Sequence, residues 1–224
     1  MMTNWAFQSL VFTAGMGALL LVPSGTWHWP AAWMFLAAMV VIGFGCGLWL
    51  AKTDPDLLAE RMRLTARDEQ PTADKFFVPV IGAAFLGWFV VMGIDHRLHG
   101  TAFSHAVQAI GLALLFVSTV FIMWVFRTNS FAAPLVKVQR ERGHHVIDSG
   151  PYAWVRHPMY SGAIIFFIGI ALLLGSSWGL LAVPLLALLF AFRTLIEERT
   201  LRDGLDGYID YTSRVRYRLL PGVW

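Results

Sequence analysis

The sequence predicts an all-α integral membrane protein, with four spanning helices followed by a C-terminal helical hairpin, five to six membrane helices in total. Three observations carry this. The chain is 57% hydrophobic and 14% charged, with a mean hydropathy of +0.61, whereas soluble domains run at about 45–50% apolar and about 25% charged. Its apolar residues gather into stretches that reach or approach the ~20 residues a helix needs to cross a hydrocarbon core. Every lysine and arginine except Arg97 falls in alternate connecting segments, the asymmetry that orients membrane helices.

The first stretch, Trp5–Val22, follows an N-terminus without Lys or Arg and precedes Pro23-Ser-Gly-Thr-Trp-His, a poor cleavage site. It is therefore read as a spanning helix and not as a signal peptide. Three further spans are predicted over Pro30–Leu50, Phe76–Ile94 and His105–Phe126. Within the second, Gly43 and Gly47 form a Gly-x-x-x-Gly step suited to close helix packing. Asp54-Pro-Asp56 has the form of a helix start, with Asp54 as N-cap and Pro55 in the first turn. The leucines and arginines that follow, up to Leu64, suit a connector resting on headgroups or a gate, and Pro71 ends it. Ala163–Leu174 and Trp178–Phe192, separated by Gly175-Ser-Ser, are short for independent spans. They are read as a tight hairpin, tilted, kinked at Pro184 or partly inserted. The whole of 1–224 is read as one membrane domain, with four helices in 1–126 and the polar chemistry in 127–224.

Segments 51–75 and 127–158 and the tail from Arg193 hold the basic residues, while 23–29 and 95–104 hold only Arg97. Both termini are expected to face the cytoplasm, in the inner or plasma membrane if the source is bacterial. Of the carboxylates only Asp95 lies on the other side. The sequence pI of about 9.3 thus describes a face beside anionic lipid, and nucleic acid is not an expected partner. Cys46 is alone, which excludes an intramolecular disulfide and a cysteine-rich metal site. His96, His99 and His105 beside Asp95 are read as solvated loop histidines, with no metal expected. The tryptophans suit interfacial anchoring. Neither a lipidation signal nor a Gly-rich phosphate loop is present.

Three polar pieces converge in the C-terminal half: Gly143-His-His-Val-Ile-Asp-Ser-Gly150 running into Pro-Tyr-Ala-Trp-Val-Arg-His-Pro-Met-Tyr-Ser-Gly162, then Glu197-Glu198, then Gly207-Tyr-Ile-Asp-Tyr211 with Arg214 and Pro221. A hairpin with arms of similar length returns its end to its start, so Glu197 and Glu198 are expected near Arg156 and His157. Such a constellation serves either as a structural ion-pair cap or, given its strand-like His-x-Val-Ile run, tyrosines and glycines, as the wall of a polar pocket beside lipid.

Gly150–Gly162 resembles the G-P-Y-x-x-x-R-H-P-x-Y-x-G signature of the isoprenylcysteine carboxyl methyltransferase family, integral membrane enzymes that use S-adenosylmethionine. The likeness extends over roughly 135–222: a histidine six residues before the first glycine (His144, not His145), the hairpin, the Glu-Glu pair, two tail tyrosines and a late proline. One departure concerns the tail, where Arg216 stands at a position at which many relatives carry proline.

The resemblance implies a cytoplasmic loop and tail that enclose S-adenosylmethionine, with a lipophilic or lipid-bearing acceptor entering from the membrane. It assigns Arg156, His157 and Glu198 to catalysis. The cofactor is assigned to His144, Val146, Ile147, Gly150, Tyr152, His157, Pro158, Tyr160, Glu197 and Glu198. On chemical grounds the glutamates suit the cofactor's ammonium and ribose diol, Tyr152 and Tyr160 its adenine, and His144 and His157 its carboxylate. Arg156 suits an acceptor carboxylate, whereas an amine or thiol acceptor needs His157 or a glutamate as base. Tyr208 and Tyr211 are read as tail anchors. The competing readings are a sterol-reductase-like enzyme using NADPH and a non-catalytic small transporter or assembly protein. The former usually carries an asparagine-tyrosine pair where this chain has Met159-Tyr160.

Overall fold

The computed structural model describes residues 2–62 and 70–224, and over these it holds eight α-helices and no strand. They are α1 (Met2–Ser24), α2 (Pro30–Thr53), α3 (Pro55–Met62), α4 (Thr72–His99), α5 (His105–Thr128), α6 (Pro158–Leu174), α7 (Ser177–Gly204) and α8 (Tyr208–Arg214). Five of them (α1, α2, α4, α5 and α7) are long and apolar enough to span a membrane, and α6 is a shorter apolar helix. The expected hairpin is present, but its second arm does not stop near Phe192. At 28 residues α7 outruns the 17 of α6, because Arg193, Thr194 and Glu198 find buried partners and the helix continues through them.

The helices share a core built on Leu20, Trp29, Phe35, Phe89, Leu115 and Ile170. Its tightest crossing joins α5 to α6: a Cβ on Gly111 would sit 2.3 Å from the Leu173 nitrogen, and one on Gly169 3.0 Å from the Gly111 oxygen. Backbone meets backbone there, as small residues allow. Gly47 packs within the chain too, its would-be Cβ falling 2.1 Å from the Trp5 ring. Trp27, Trp33 and Trp178 are exposed as interfacial anchors should be, whereas Trp29 is buried and stacked on His96 at 4.0 Å.

The hairpin turn is built by Gly175, left-handed at φ +69°, and by Ser176, whose Oγ accepts from the Gly179 N–H. Asp95 secures it: its Oδ2 accepts from Ser176 Oγ at 2.7 Å and from the Trp178 N–H at 3.0 Å, and its Oδ1 lies 2.9 Å from His99 Nδ1. Asp95 and His99 thus belong to a built corner, which corrects the reading of a merely solvated loop.

Asp54 caps α3 as expected, accepting the Leu57 N–H at 2.9 Å. One face of the helix packs against the bundle. Leu57, Leu58 and Glu60 are buried, with Leu57 and Leu58 packed beside Leu50, Phe126 and Ala132, because the Asp54 turn folds α3 back against α2 and α5. Arg63, Leu64 and Arg67, also read as part of this connector, lie outside the described residues.

Candidate active site at the base of the helical hairpin

The stretch 150–162 makes a turn and then a helix. Gly150 opens a 3₁₀ turn with φ +56°, and a Cβ there would fall 2.9 Å from Thr128 Oγ1, so only glycine fits this corner. Pro158 starts α6 in its first turn, where the missing N–H costs nothing. The C-terminal tail pairs with this turn through its backbone. Arg156 N–H donates to Tyr217 O and His157 N–H to Arg218 O, both at 2.9 Å, and Ser161 Oγ donates to Leu219 O at 2.6 Å. Arg216 is exposed and leaves this path undisturbed.

The predicted meeting of acids and bases occurs. Arg156 Nε donates to Glu198 Oε1 at 2.6 Å, and its Nη1 donates to the carbonyls of Val215 and Arg216 at 2.9 and 3.1 Å. Arg218 Nε reaches Glu198 Oε2 at 3.1 Å. Glu198 is buried and held by cations on two sides, so it joins α7 to the motif and to the tail. Glu197, one residue earlier, faces a different surface. Its Oε2 accepts from Tyr160 Oη at 2.6 Å and lies 3.8 Å from His157 Nδ1.

That surface is the wall of a cavity with about 750 Å³ of empty space, its open mouth included. Of the predicted site residues His144, Val146, Ile147, Tyr152, Arg156, His157, Tyr160 and Glu197 line it. Gly150, Pro158 and Glu198 do not; they hold its walls in place. Tyr208 and Tyr211, read as tail anchors, also line it and are both buried. Tyr211 Oη donates to Tyr152 O at 2.8 Å, fastening α8 to the motif.

The remaining wall was missed. Asn129, Phe131 and the run from Ala132 to Lys137 cross the cavity between α5 and the His144 segment. Asn129 Nδ2 donates to Tyr152 Oη at 2.8 Å, and Phe131 stacks on His144 with ring centres 4.4 Å apart. Buried polar groups hold this run. Asp74 Oδ2 accepts the Val136 N–H at 3.2 Å, Asp74 Oδ1 pairs with Arg193 Nε at 3.2 Å, and Arg193 donates to Pro134 O. Lys137 Nζ lies 3.1 Å from Glu60. The only sequence signal for this wall is a polar Asn129 directly after an apolar helix. The His-x-Val-Ile run expected to be strand-like lines the cavity as irregular backbone.

His144 Nδ1 accepts the Gln139 N–H at 3.2 Å, which puts the proton of the neutral ring on Nε2. Burial, with His145 and Arg142 nearby, pulls its pKa down to about 4, so the ring is a neutral donor at pH 7. Burial raises the Tyr152, Tyr208 and Tyr211 phenols, which stay protonated. Two buried polar atoms on the cavity wall lack any hydrogen bond, His157 Nε2 and Tyr208 Oη. The 3.5 Å from His157 Nε2 to Glu198 Oε1 is an ion-pair distance without hydrogen-bond geometry. Unpaired buried groups cost ~1–3 kcal/mol each, and on a cavity wall they are sites for a ligand's polar atoms.

Membrane-length helices with a polar, aromatic cavity at one end define a multi-pass membrane protein. The sequence family described as phospholipid methyltransferase matches residues 106–205, from α5 to the end of α7. Protein-S-isoprenylcysteine O-methyltransferase B of Arabidopsis thaliana is 32% identical over 83 residues, 36% of this chain and 42% of that protein. Protein-S-isoprenylcysteine O-methyltransferase of Saccharomyces cerevisiae is 34% identical over 83 residues, 36% of this chain and 35% of that one. The matched region thus spans less than half of either relative. The fold matches the eukaryotic intramembrane Ras methyltransferase (isoprenylcysteine carboxyl methyltransferase) with a TM-score of 0.64 at 22% identity, covering 93% of this chain and 74% of that one. The family match covers 106–205, fewer than half of the 224 residues, and the likeness to the solved structure is one of fold.

Proposed function

We propose that this protein is a membrane-embedded, S-adenosylmethionine-dependent methyltransferase that esterifies the carboxylate of a prenylcysteine-like or other lipid-like acceptor. The observation that carries the proposal is the cavity wall itself. It offers a carboxylate (Glu197), a neutral imidazole donor (His144), two unpaired buried polar atoms (His157 Nε2 and Tyr208 Oη) and several aromatic rings. This donor set fits a cofactor that carries an ammonium, a carboxylate, a diol and an adenine.

Glu197 suits the ammonium or diol, held at a fixed rotamer by Tyr160 Oη. His144 Nε2–H suits the carboxylate, and Phe131 and Tyr208 offer ring faces to the base. Bound there, S-adenosylmethionine would supply an electrophilic methyl group on its sulfonium, and its transfer to a carboxylate would leave an ester and a thioether with no proton transferred. For such a step the residues of this chain have to align the reactants and exclude water. Arg156 and Glu198 serve by clamping the tail over the cavity and are the positioning pair. The concentration of basic residues in the segments around the cavity further supports a cytoplasmic placement of both termini.

Isothermal titration of detergent-purified protein with S-adenosylhomocysteine and, separately, NADPH tests this reading. Saturable binding of S-adenosylhomocysteine alone is expected. Folded protein that ignores it, or that takes NADPH instead, would overturn the proposal.

A further inference from the structure

The segment that carries Arg156 and His157 has an outer face as well as a cavity face. Trp154 is exposed there and meets Trp124 edge to face, with ring centres 5.5 Å apart. Trp124 is itself exposed, near the end of α5, a helix of membrane-spanning length. The pair therefore lies where α5 leaves the apolar layer. The first turn of α6 packs at the same level, since a Cβ on Gly162 would fall 2.8 Å from Ile122 and 3.1 Å from Phe121. The tail follows this line. Its backbone is bonded to Arg156, His157 and Ser161, while the side chains of Tyr217, Leu220 and Val223 are exposed. Amphipathic rings among scattered apolar groups suit the headgroup region, where one end of a ring is wet and the other is not.

Two cations border this strip. Arg127, in the last turn of α5, and Arg216, in the tail, are both exposed. Arg214 pairs with Asp148 and Arg218 with Glu198, whereas among the described residues no carboxylate pairs with Arg127 or Arg216. Arg216 is also tied to the clamp, because its carbonyl accepts from Arg156 Nη1 at 3.1 Å. Whatever holds its side chain thus helps to hold the tail on the motif. Cations beside a bilayer gain from anionic lipid.

We infer that the motif and the tail form a strip that binds lipid headgroups. In it Trp124, Trp154, Tyr217 and Leu220 sit among the headgroups, Arg127 and Arg216 take the phosphates of anionic phospholipid, and this contact helps to keep the tail closed over the cavity. Anionic lipid and cofactor then favour the same closed tail, so each strengthens the binding of the other. The lipid contact stands on the strip alone, whereas its coupling to the cofactor rests on the methyltransferase reading.

The test places the full chain in nanodiscs of phosphatidylcholine, alone or mixed with phosphatidylglycerol, and titrates S-adenosylhomocysteine at one ionic strength. That ligand carries no net charge, so a surface potential does not concentrate it. Wild type is expected to bind it about fivefold more tightly in the anionic disc for each arginine engaged, the effect of one cation near such a surface. Arg127→Gln and Arg216→Gln should each remove part of the gain. The double variant should bind equally in both discs, as wild type does in the neutral one. Without cofactor, an environment-sensitive fluorophore on Val223→Cys, in a Cys46→Ser background, should emit further to the blue in the anionic disc.

Equal affinity of wild type in the two discs overturns the coupling, and a gain that survives in the double variant overturns the role of the arginines. A fluorophore indifferent to anionic lipid overturns the contact. A gain that inorganic phosphate reproduces in the neutral disc assigns the arginines to a soluble anion and overturns the lipid partner. Protein that binds no S-adenosylhomocysteine in either disc, while its fluorophore still shifts, marks failure of the methyltransferase reading and leaves the lipid contact standing.

Discussion

The two ends of the α6–α7 hairpin both bury a carboxylate, and they use it differently. At the turn, Asp95 collects a hydroxyl, a backbone N–H and an imidazole, and its work is complete. At the base, Glu198 is also saturated, by Arg156 and Arg218, but its neighbours are not. Glu197, His157 and Tyr208 face a cavity, two of them with an unpaired polar atom. The turn has its own unpaired atoms in the stacked Trp29 and His96, but these rings pack against each other and line none of the described cavities. A buried charge therefore does not mark a site by itself. Polar side chains along a cavity wall with hydrogen-bonding capacity to spare are the better pointer.

This contrast is open to attack at several points. The largest effect is expected for Arg156→Met, which strands Glu198 and cuts the tail from the motif. Breaking a buried pair on one side costs ~3–5 kcal/mol, so thermal unfolding in detergent should come markedly earlier and S-adenosylhomocysteine binding should vanish. Binding that survives Arg156→Ala and Glu198→Gln together would show that the pocket lies elsewhere.

Next comes Asp95→Asn, which removes the charge from the turn. A loss of ~1–3 kcal/mol in stability is expected, the usual cost of an unmet buried hydrogen bond, with ligand affinity unchanged in the folded fraction. A specific loss of affinity there would erase the distinction between the two ends.

Glu197→Gln should do the opposite. Tyr160 can still donate to the amide oxygen, so the unfolding midpoint should move little. Affinity for S-adenosylhomocysteine should fall about ten- to a hundredfold, the worth of a hydrogen bond to a charged group. An unaltered titration would remove Glu197 from the cofactor's contacts.

The smallest effect concerns pH. The folded pKa of His144, about 4, lies below the ~6.5 of a free imidazole, so the unfolded chain takes up its proton first. The stability this gives is complete above about pH 6.5 and declines as pH falls towards 4. Unfolding midpoints measured across that window should slope less in His144→Gln than in wild type, and parallel slopes would contradict the burial of a neutral ring.

How much of this was legible follows from range along the chain. The spans were readable because hydropathy is summed locally, and the motif because its residues are contiguous. The Arg156–Glu198 meeting was readable because a hairpin is simple geometry: Gly175 stands about midway between the two. Its second arm was cut short at Phe192, since Arg193 looks like a helix end until Asp74, over a hundred residues away, supplies its partner. That Tyr208 and Tyr211 also line a cavity was hidden for a similar reason, because an amphipathic tail reads the same whether its rings meet lipid or fold over a cavity.

The sequence by itself determined an all-helical membrane protein, an oriented distribution of charge, and a polar motif facing a pair of glutamates. Tertiary structure decided which polar atoms are spent and which remain. It sent Glu198 into a clamp and Glu197 into the cavity, and closed the far wall with residues between Asn129 and Lys137. The reason is physical: periodicity and composition fix where a segment lies relative to lipid, but a side chain's chemistry is set by the partners that distant segments bring to it.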